Sequence, residues 1–511
     1  MGLANFVIKK FIKKRIPQIK RFNNYPHDVQ HEQFRHLIRR AQDTEWGKKY
    51  EYSSITEIEQ FKDRVPVSDY DDLKPLINRM INGEQNILWP SRINWFAQSS
   101  GTTSDKSKFL PISKEGLRKC HFQGSYDLIA LYAHNNPATK LFDGKSLIMG
   151  GSHQVSKMNN NAYCGDVSAV MMQNMSYIAS FFRTPDLSTS LMANWEEKIE
   201  KMAWETIEQN VTNIAGVPTW TLVLIKRLFE IKGKNNLLDI WPNLELYIHG
   251  GVNFKPYYEE FKKLIPSNDM CYLEAYNASE GFFSLQDQLF ADEMLLMLDY
   301  GIFYEFCPLG ELEKDQPKTY QLHEVETDVN YALIISTNCG LWRYKVGDTV
   351  KFTSLNPFRI QVSGRIKHFI NAFGEEVMIH NTENAIAQAC HETGATVKEY
   401  SVAPIYLSES SKGGHEWLIE FEEEPEELEQ FRQILDRALQ NSNSDYEAKR
   451  YKNLALQLPV IHPMPKGTFY NWLKSKGKLG GQHKVPRLAN DRQYVEEIKS
   501  FAKMEMGASL Q

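Results

Sequence analysis

The sequence predicts an α/β protein, with a large N-terminal domain of mixed sheets, helices and a barrel-like part, and a small, mobile α+β domain after it. Three observations predict this. Short apolar runs alternate with amphipathic stretches from residue 93 to about 300, the pattern of strands joined by helices. From 331 to 364, strand-like segments follow one another with only turns between them, which predicts an antiparallel, barrel-like end. The pattern then changes at GRIKHFINAFGEEV (364–377). The expected domains are therefore residues 1–363 and 364–511, with a hinge at about 364–371.

Taken in order, the first 90 residues read as mainly helical, HEQFRHLIRRAQDTEWGKKY being a helical stretch. INWFAQSS reads as a strand, and the region from Lys114 to Ala133 as a helix. KSLIMGG is a strand and 192–209 a helix. NLELYIHGG, MCYLEAY and EMLLMLDYGIFYEF read as buried strands; YALIISTN, LWRYKVGDTVKF and RIQVSG form the antiparallel end. Helix 382–393, strands around KEYSVAPIYL and HEWLIEFEE, helix EELEQFRQILDRAL and strand NLALQLPVI make the smaller domain.

A hydrophobic content of 42%, with 10 Trp, 24 Tyr and 27 Phe in 511 residues, supports a large buried core and excludes global disorder. A net charge of −5 gives no nucleic-acid signature. Residues 1–21 carry seven Lys/Arg and no acid, which leaves the remainder at −12. Two readings fit this segment. One is an amphipathic helix touching an anionic membrane or a partner. The other is a first helix whose Phe6, Val7, Ile8 and Phe11 dock on the body. It lacks the long apolar region and cleavage site of a signal peptide, and Phe6 stands where myristoylation wants Ser or Thr. No apolar run is long enough to span a bilayer. The six cysteines form no CxxC pair and read as reduced, mostly buried thiols of a cytoplasmic protein.

Several familiar chemistries fail on the residues. Gly144-Lys145-Ser146 has Thr139 where a Walker loop needs its first glycine, and His31-Glu32 is followed by Arg35 where a zincin needs histidine. SSGTTSDKSK is different. Phosphate oxygens need many donors at short range, which backbone N–H groups around Gly101 and the hydroxyls of Ser99, Ser100, Thr102 and Thr103 can supply. A lysine such as Lys108 adds charge for a leaving pyrophosphate. A polar turn has the same composition. In HGGVNFKPY, Gly250 and Gly251 allow a flat ring to lie against backbone, or merely end a strand. In EAYNASEGFF, Tyr276 offers a ring, Ser279 a hydroxyl and Glu280 a carboxylate suited to magnesium; a strand-end surface acid is the plainer alternative. In RYKVGD, Asp348 can accept both hydroxyls of a ribose, or be a hairpin-turn Asp beside glycine.

In this order the motifs, with a Gly-Arg hinge after them, resemble the adenylate-forming superfamily of acyl-CoA synthetase and luciferase-like enzymes. More closely, the chain resembles the Gretchen Hagen (auxin-responsive promoter) family of acyl-acid amido synthetases in its bacterial form. The resemblance covers nearly the whole chain, including LIRRAQDTEWGKKY, FKDRVPVSDYDDLKPLI, ILWPSRINWFAQSSGTT and GKLGGQHKVPRL. It implies ATP and Mg²⁺ as cofactors, with SSGTT on the phosphates and Gly250, Gly251 and Tyr276 facing adenine. Ala278 and Ser279 belong to the same nucleotide motif, Asp348 holds the ribose, Arg365 in the hinge segment is a further ATP-binding residue, and Glu280 holds Mg²⁺ near the α-phosphate. Lys484 in QHKVPR is the implied mobile-domain lysine, and the helix carrying Phe122 and Tyr126 lines the acyl-acid pocket.

The implied chemistry is attack of a carboxylate on the α-phosphorus of ATP, loss of pyrophosphate, and capture of the acyl-adenylate by an amine, an amino acid above all. Transfer to coenzyme A, and a non-catalytic nucleotide- or acid-binding protein, are the alternatives. Asp105 departs from the superfamily loop, which commonly has glycine there. No residue names the acid, the amine or the oligomeric state.

Overall fold

The computed structural model describes residues 14–99, 108–150, 155–158, 161–192, 194–251, 254–312, 314, 316–366, 369–370, 375, 377–405, 413–443, 446–447, 450, 456–477, 484–489 and 491–508. The chain divides into two compact units: Met1–Val252 with Lys263–Val362, and Asn253–Lys262 with Ser363–Gln511. The second split lies one residue from the expected border. The ten-residue excursion, expected in the larger domain, groups instead with the second unit. Its Tyr257 explains this: the phenol accepts a 2.6 Å hydrogen bond from Arg487 Nη2, and the guanidinium lies over its ring.

The first unit opens on helices. Within helix 14–24, Ile19 and Phe22 are buried, and Arg15 pairs with Asp127 at 2.7 Å and Asp299 at 2.5 Å. This part of the basic segment is therefore docked; Phe6, Val7, Ile8 and Phe11 lie outside the described residues. Helix Pro26–Ala41 buries Val29, Gln30, Phe34, Leu37 and Ile38 at helical spacing and leaves His31 and His36 on its surface side. Gln30 is buried because it bonds the carbonyls of Leu298 and Ile302. Helix Tyr70–Ile81 starts at Asp69, whose carboxylate caps the amides of Asp71 and Asp72.

Two sheets follow. A four-stranded sheet has the order β2-β1-β5-β4, with β1 Trp95–Ser99, β2 Lys108–Ile112, β4 Ser156–Lys157 and β5 Tyr163–Gly165. The other has eleven strands. Its first half holds β3 Lys145–Ile148, β6 Arg183–Thr184, β7 Val211–Ala215, β8 Leu246–His249 and β9 Cys271–Ala278, paired in parallel. Its second half holds β10 Gly281–Leu285, β11 Met294–Leu296, β12 Ile302–Pro308, β13 Asn330–Thr337, β14 Tyr344–Leu355 and β15 Phe358–Arg365. The sheet changes character at β9, which is parallel to β8 and antiparallel to β10. Strand β13, NYALIIST, is buried at every position but its first, as expected of a strand covered on both faces.

The second unit begins with the short pair β16 Phe369–Ile370 and β17 Val377–Met378. A three-stranded sheet of β18 Thr396–Ile405, β19 Gly414–Glu423 and β20 Val460–Met464 carries helices Ile379–Thr393 and Leu428–Ser442. Of the strand expected over NLALQLPVI, residues 453–455 lie outside the described residues, 457–459 are not strand, and β20 begins at Val460. All six cysteines are unpaired, and all but Cys390 are buried. Among the described residues no helix is long and apolar enough to cross a membrane.

Candidate active site

The strand where the eleven-stranded sheet changes direction also carries the Tyr276–Glu280 motif. Strands β9 and β10 pair Ala278 with Gly281, so Ser279 and Glu280 are the two turn residues of a hairpin. Turns normally lie in solvent, yet these two are only 6% and 9% exposed. Glu280 is thus no surface acid, and Ser279 Oγ is a buried hydroxyl without a hydrogen-bond partner among the described residues. Such a group needs an explanation, and a bound oxygen-rich ligand supplies one.

Tyr276 precedes the turn. Its phenol donates to Asp348 Oδ2 at 2.7 Å, and its ring meets Phe283 edge-on at 4.8 Å. Asp348 is not a hairpin-turn residue either; it lies inside β14. Pairing of Ala332 with Thr349 and of Ile334 with Lys345 leaves Val346, Gly347 and Asp348 opposite Leu333. Gly347, at φ +95°, makes this bulge possible. The bulge re-aims Asp348 toward β9, so two motifs 72 residues apart share one hydrogen bond.

Gly250 follows β8 directly. A Cβ there would stand 2.4 Å from the carbonyl oxygen of Ala275, one residue before Tyr276. The glycine therefore has a packing reason besides any ring that lies against it. Gly251 adopts φ +77°, a left-handed conformation suited to glycine.

The hydroxyl-glycine loop is carried by a hairpin. Ser99 of β1 pairs with Lys108 of β2, so the two strands are joined through residues 100–107. Ser100, Gly101, Thr102, Thr103 and Asp105 lie outside the described residues. The base of the loop is gripped by Tyr70, whose oxygen accepts the Phe109 amide at 2.9 Å and whose ring lies 5.8 Å from the Lys108 ammonium. Burial raises the Tyr70 pKa, against the lowering effect of that bond. Sequence reasoning missed Tyr70; the SDYDDL start of its helix was the only signal.

It also missed His121. The helical run 114–135 contains a π-helical stretch, Leu117–His121, a distortion frequent at functional sites. The run clamps the hairpin. Cys120 Sγ accepts the Phe282 amide at 3.1 Å, a Cβ on Gly124 would meet the Phe282 ring at 2.4 Å, and His121 Nδ1 stands 3.0 Å from Asn277 Oδ1. Burial holds the His121 imidazole down, to about 4, despite the Asn277 bond, which raises it. Phe122 and Tyr126 follow on the same helix with their rings stacked at 6.2 Å, Tyr126 42% exposed.

The remaining candidates belong to the second unit. Arg365 ends β15. Lys484 lies in a segment held along β18: Val402 N donates to the Arg487 carbonyl at 2.8 Å and Ser401 Oγ to the Pro486 carbonyl at 2.7 Å. Arg487 is the anchor, with Glu383 at 2.6 Å, Glu399 at 3.0 Å and Tyr257 at 2.6 Å.

Among the described residues no group of three or more His, Cys, Asp or Glu could hold a metal by itself. Glu280 beside an orphan hydroxyl fits a magnesium ion bound through one carboxylate and nucleotide phosphates.

Comparison with known proteins follows the same outline. Residues 15–270 match the GH3 family N-terminal domain, 295–365 the GH3 family central domain and 380–493 the GH3 family C-terminal domain. The chain is 23% identical over 555 residues to the indole-3-acetic acid-amido synthetase GH3.3 of Arabidopsis thaliana, covering 92% of this chain and 91% of that one. It is 23% identical over 543 residues to the jasmonoyl–L-amino acid synthetase JAR4 of Nicotiana attenuata, covering 90% of each. In fold it is similar to the GH3.15 acyl acid amido synthetase, with a TM-score of 0.75 at 16% identity over 95% of both chains. It is also similar to a 2-hydroxyisobutyryl-CoA ligase in its postadenylation state, at 0.55 and 12% over 93% and 91%.

Proposed function

The chain belongs to the GH3 family, and on that footing we propose that it is an ATP-dependent acyl-acid amido synthetase. It activates a small carboxylic acid as its acyl-adenylate and passes the acyl group to an amine, an amino acid by the family's habit. The observation that carries this is the Tyr276–Asp348 hydrogen bond beside the buried Ser279–Glu280 turn. It joins a ring face, a ribose acceptor and a phosphate-side carboxylate within one unit.

In this reading the Tyr276 ring and the Gly250–Gly251 turn receive adenine, while Asp348, oriented by the Tyr276 phenol, accepts the ribose hydroxyls. The loop carried by β1 and β2 wraps the phosphates. Lys108 stands at its base, kept there by the Tyr70 ring, as a cation for the pyrophosphate that leaves. Magnesium held at Glu280 would offset charge on the α-phosphate. The acid's carboxylate reaches the α-phosphate from the side of the helix bearing His121, Phe122 and Tyr126. Lys484 and the hinge at Arg365 belong to a second unit that turns between adenylation and amide formation; such a turn also keeps water from the mixed anhydride. The unpaired, buried cysteines support a cytoplasmic setting.

The test is pyrophosphate exchange into ATP with a panel of carboxylic acids, followed by offering amino acids or coenzyme A to the loaded enzyme. Amide formation with at least one amino acid is expected. Discharge by coenzyme A alone would make it a thioester-forming ligase. Absence of exchange with every acid would make it a non-catalytic binder.

A further inference from the structure

One rung of the β9–β10 ladder is gripped at both ends by a single turn of helix. The rung is Asn277 opposite Phe282, the last but one before the Ser279–Glu280 turn. On the Phe282 side, Cys120 Sγ accepts its amide at 3.1 Å, and Gly124 lets the helix approach so closely that a Cβ there would stand 2.4 Å from the ring. On the Asn277 side stands His121, with Nδ1 at 3.0 Å from the amide oxygen. The ladder itself is weak here, because its register shifts directly after the rung, between Phe282 and Ser284. Backbone pairing alone therefore does not fix the turn.

The imidazole, in contrast, is placed firmly. It is 1% exposed and closes the π-helical stretch Leu117–His121, a rare winding that recurs at functional sites. Upstream, Ser113 accepts the Gly116 amide at 2.9 Å and donates to the Asn338 carbonyl at 2.6 Å, which ties down the start of the run. The bond to Asn277 also has a direction. An amide oxygen only accepts, so Nδ1 carries the proton. Burial holds the imidazole down, to about 4, so at neutral pH the ring has one proton and this bond uses it. Tyr276, on the other side of Asn277, has anchors of its own in Asp348 at 2.7 Å and the Phe283 ring at 4.8 Å. What the histidine secures is the turn that follows.

We propose that His121 is a positioning residue for the phosphate side of the site: by holding Asn277 it sets the Ser279–Glu280 turn where magnesium-ATP is received. The inference rests on the ATP-dependent reading above. His121 acts through Asn277, so its loss changes where the turn stands and not the groups that the turn presents.

The experiment compares His121→Leu with His121→Asn in the full chain. Leucine fills the space and cannot donate, whereas an asparagine amide can donate from about the place of Nδ1. Calorimetry measures binding of magnesium-ATP and of adenosine, with the melting temperature alongside. His121→Leu should weaken magnesium-ATP about 3- to 10-fold, the worth of one hydrogen bond. Adenosine, which engages only Tyr276, Asp348 and the Gly250–Gly251 turn, should stay within twofold. His121→Asn should bring ATP back to within twofold of wild type, even if both variants melt lower. A loss of ATP affinity below threefold in the leucine variant would overturn the assignment. So would equal weakening of adenosine, or an asparagine variant no better than leucine, either of which makes the histidine merely structural. If His121→Leu does not fold, Asn277→Ala, at a half-buried position, removes the same bond from its other end and must show the same loss of ATP over adenosine. Failure of the wild type to bind ATP would sink the synthetase reading and this assignment together; an unaffected variant of an ATP-binding wild type sinks this one alone.

Discussion

Replacing Asp348 by alanine should weaken ATP binding by about two orders of magnitude, and the structure says how the loss divides. Asp348 Oδ2 already accepts from the Tyr276 phenol at 2.7 Å, which orients the carboxylate for the ribose contact proposed above. Two hydrogen bonds from ribose hydroxyls to a carboxylate are worth about 1.5 kcal/mol each at the low end, hence roughly 3 kcal/mol, or about 100-fold in Kd. A second effect appears without ligand. The Tyr276 hydroxyl, on a residue only 9% exposed, loses the partner that the structure gives it, at a cost of about 1–3 kcal/mol. Tyr276→Phe removes the orienting bond but keeps the ring and the acceptor, so ATP affinity falls by roughly tenfold or less. Because the two side chains touch, the double variant should be milder than the sum of the single ones. The assay is a titration of ATP against 2′,3′-dideoxy-ATP. Wild type should prefer ATP strongly, and Asp348→Ala should bind both alike. If Asp348→Ala still discriminates between the two nucleotides, the ribose assignment is wrong.

Other outcomes follow from geometry already described. Gly250→Ala puts a methyl 2.4 Å from the Ala275 oxygen, which forces β8 and β9 apart; overpacking of this kind costs about 1–3 kcal/mol, read as a lower denaturant midpoint. An unchanged midpoint would mean that the strand end yields freely. Arg487→Met leaves buried Glu383 and half-buried Glu399 without their cation, at about 3–5 kcal/mol. Hydrogen exchange should then quicken in segments 253–262 and 484–489, with the first unit unaffected. Acid should destabilise the first unit through two histidines. Burial holds His121 at about 4 and His249 at about 3, below the ordinary 6.5 of the unfolded chain. Above 6.5 both states are neutral and the full stability is present; as pH falls toward 4, only the unfolded state gains the protons. Each histidine then removes up to about 1.4 kcal/mol per pH unit. His121→Gln should flatten that slope by one proton's share, and an unaltered slope would refute the assignment.

Much of the fold was legible because burial imposes a period on sequence. YALIISTN reads as a strand of the antiparallel end and is β13; HEQFRHLIRR carries its apolar stripe at helical spacing and lies in helix Pro26–Ala41. The motif residues were legible as chemistry but not as geometry. Nothing in RYKVGD says that Gly347 bulges the strand and turns Asp348 toward Tyr276, since a bulge depends on the register of a partner strand. Tyr70 and His121 were illegible for a related reason. Each acts through a neighbour distant in sequence, 39 residues from Tyr70 to Phe109 and 156 from His121 to Asn277. The excursion Asn253–Lys262 was missed because its allegiance is decided by Arg487, 230 residues beyond Tyr257.

That excursion has a consequence for how such chains can be recombined. The second unit is drawn from two stretches of the gene, so one crossover cannot transfer it whole. A chimera joined at 362/363 would inherit Arg487 from one parent and Tyr257 from the other, and their 2.6 Å hydrogen bond would become a test of compatibility between the two. Exchanging residues 253–262 along with 363–511 keeps that pair native, and it is the swap by which the unit's chemistry can be moved between relatives.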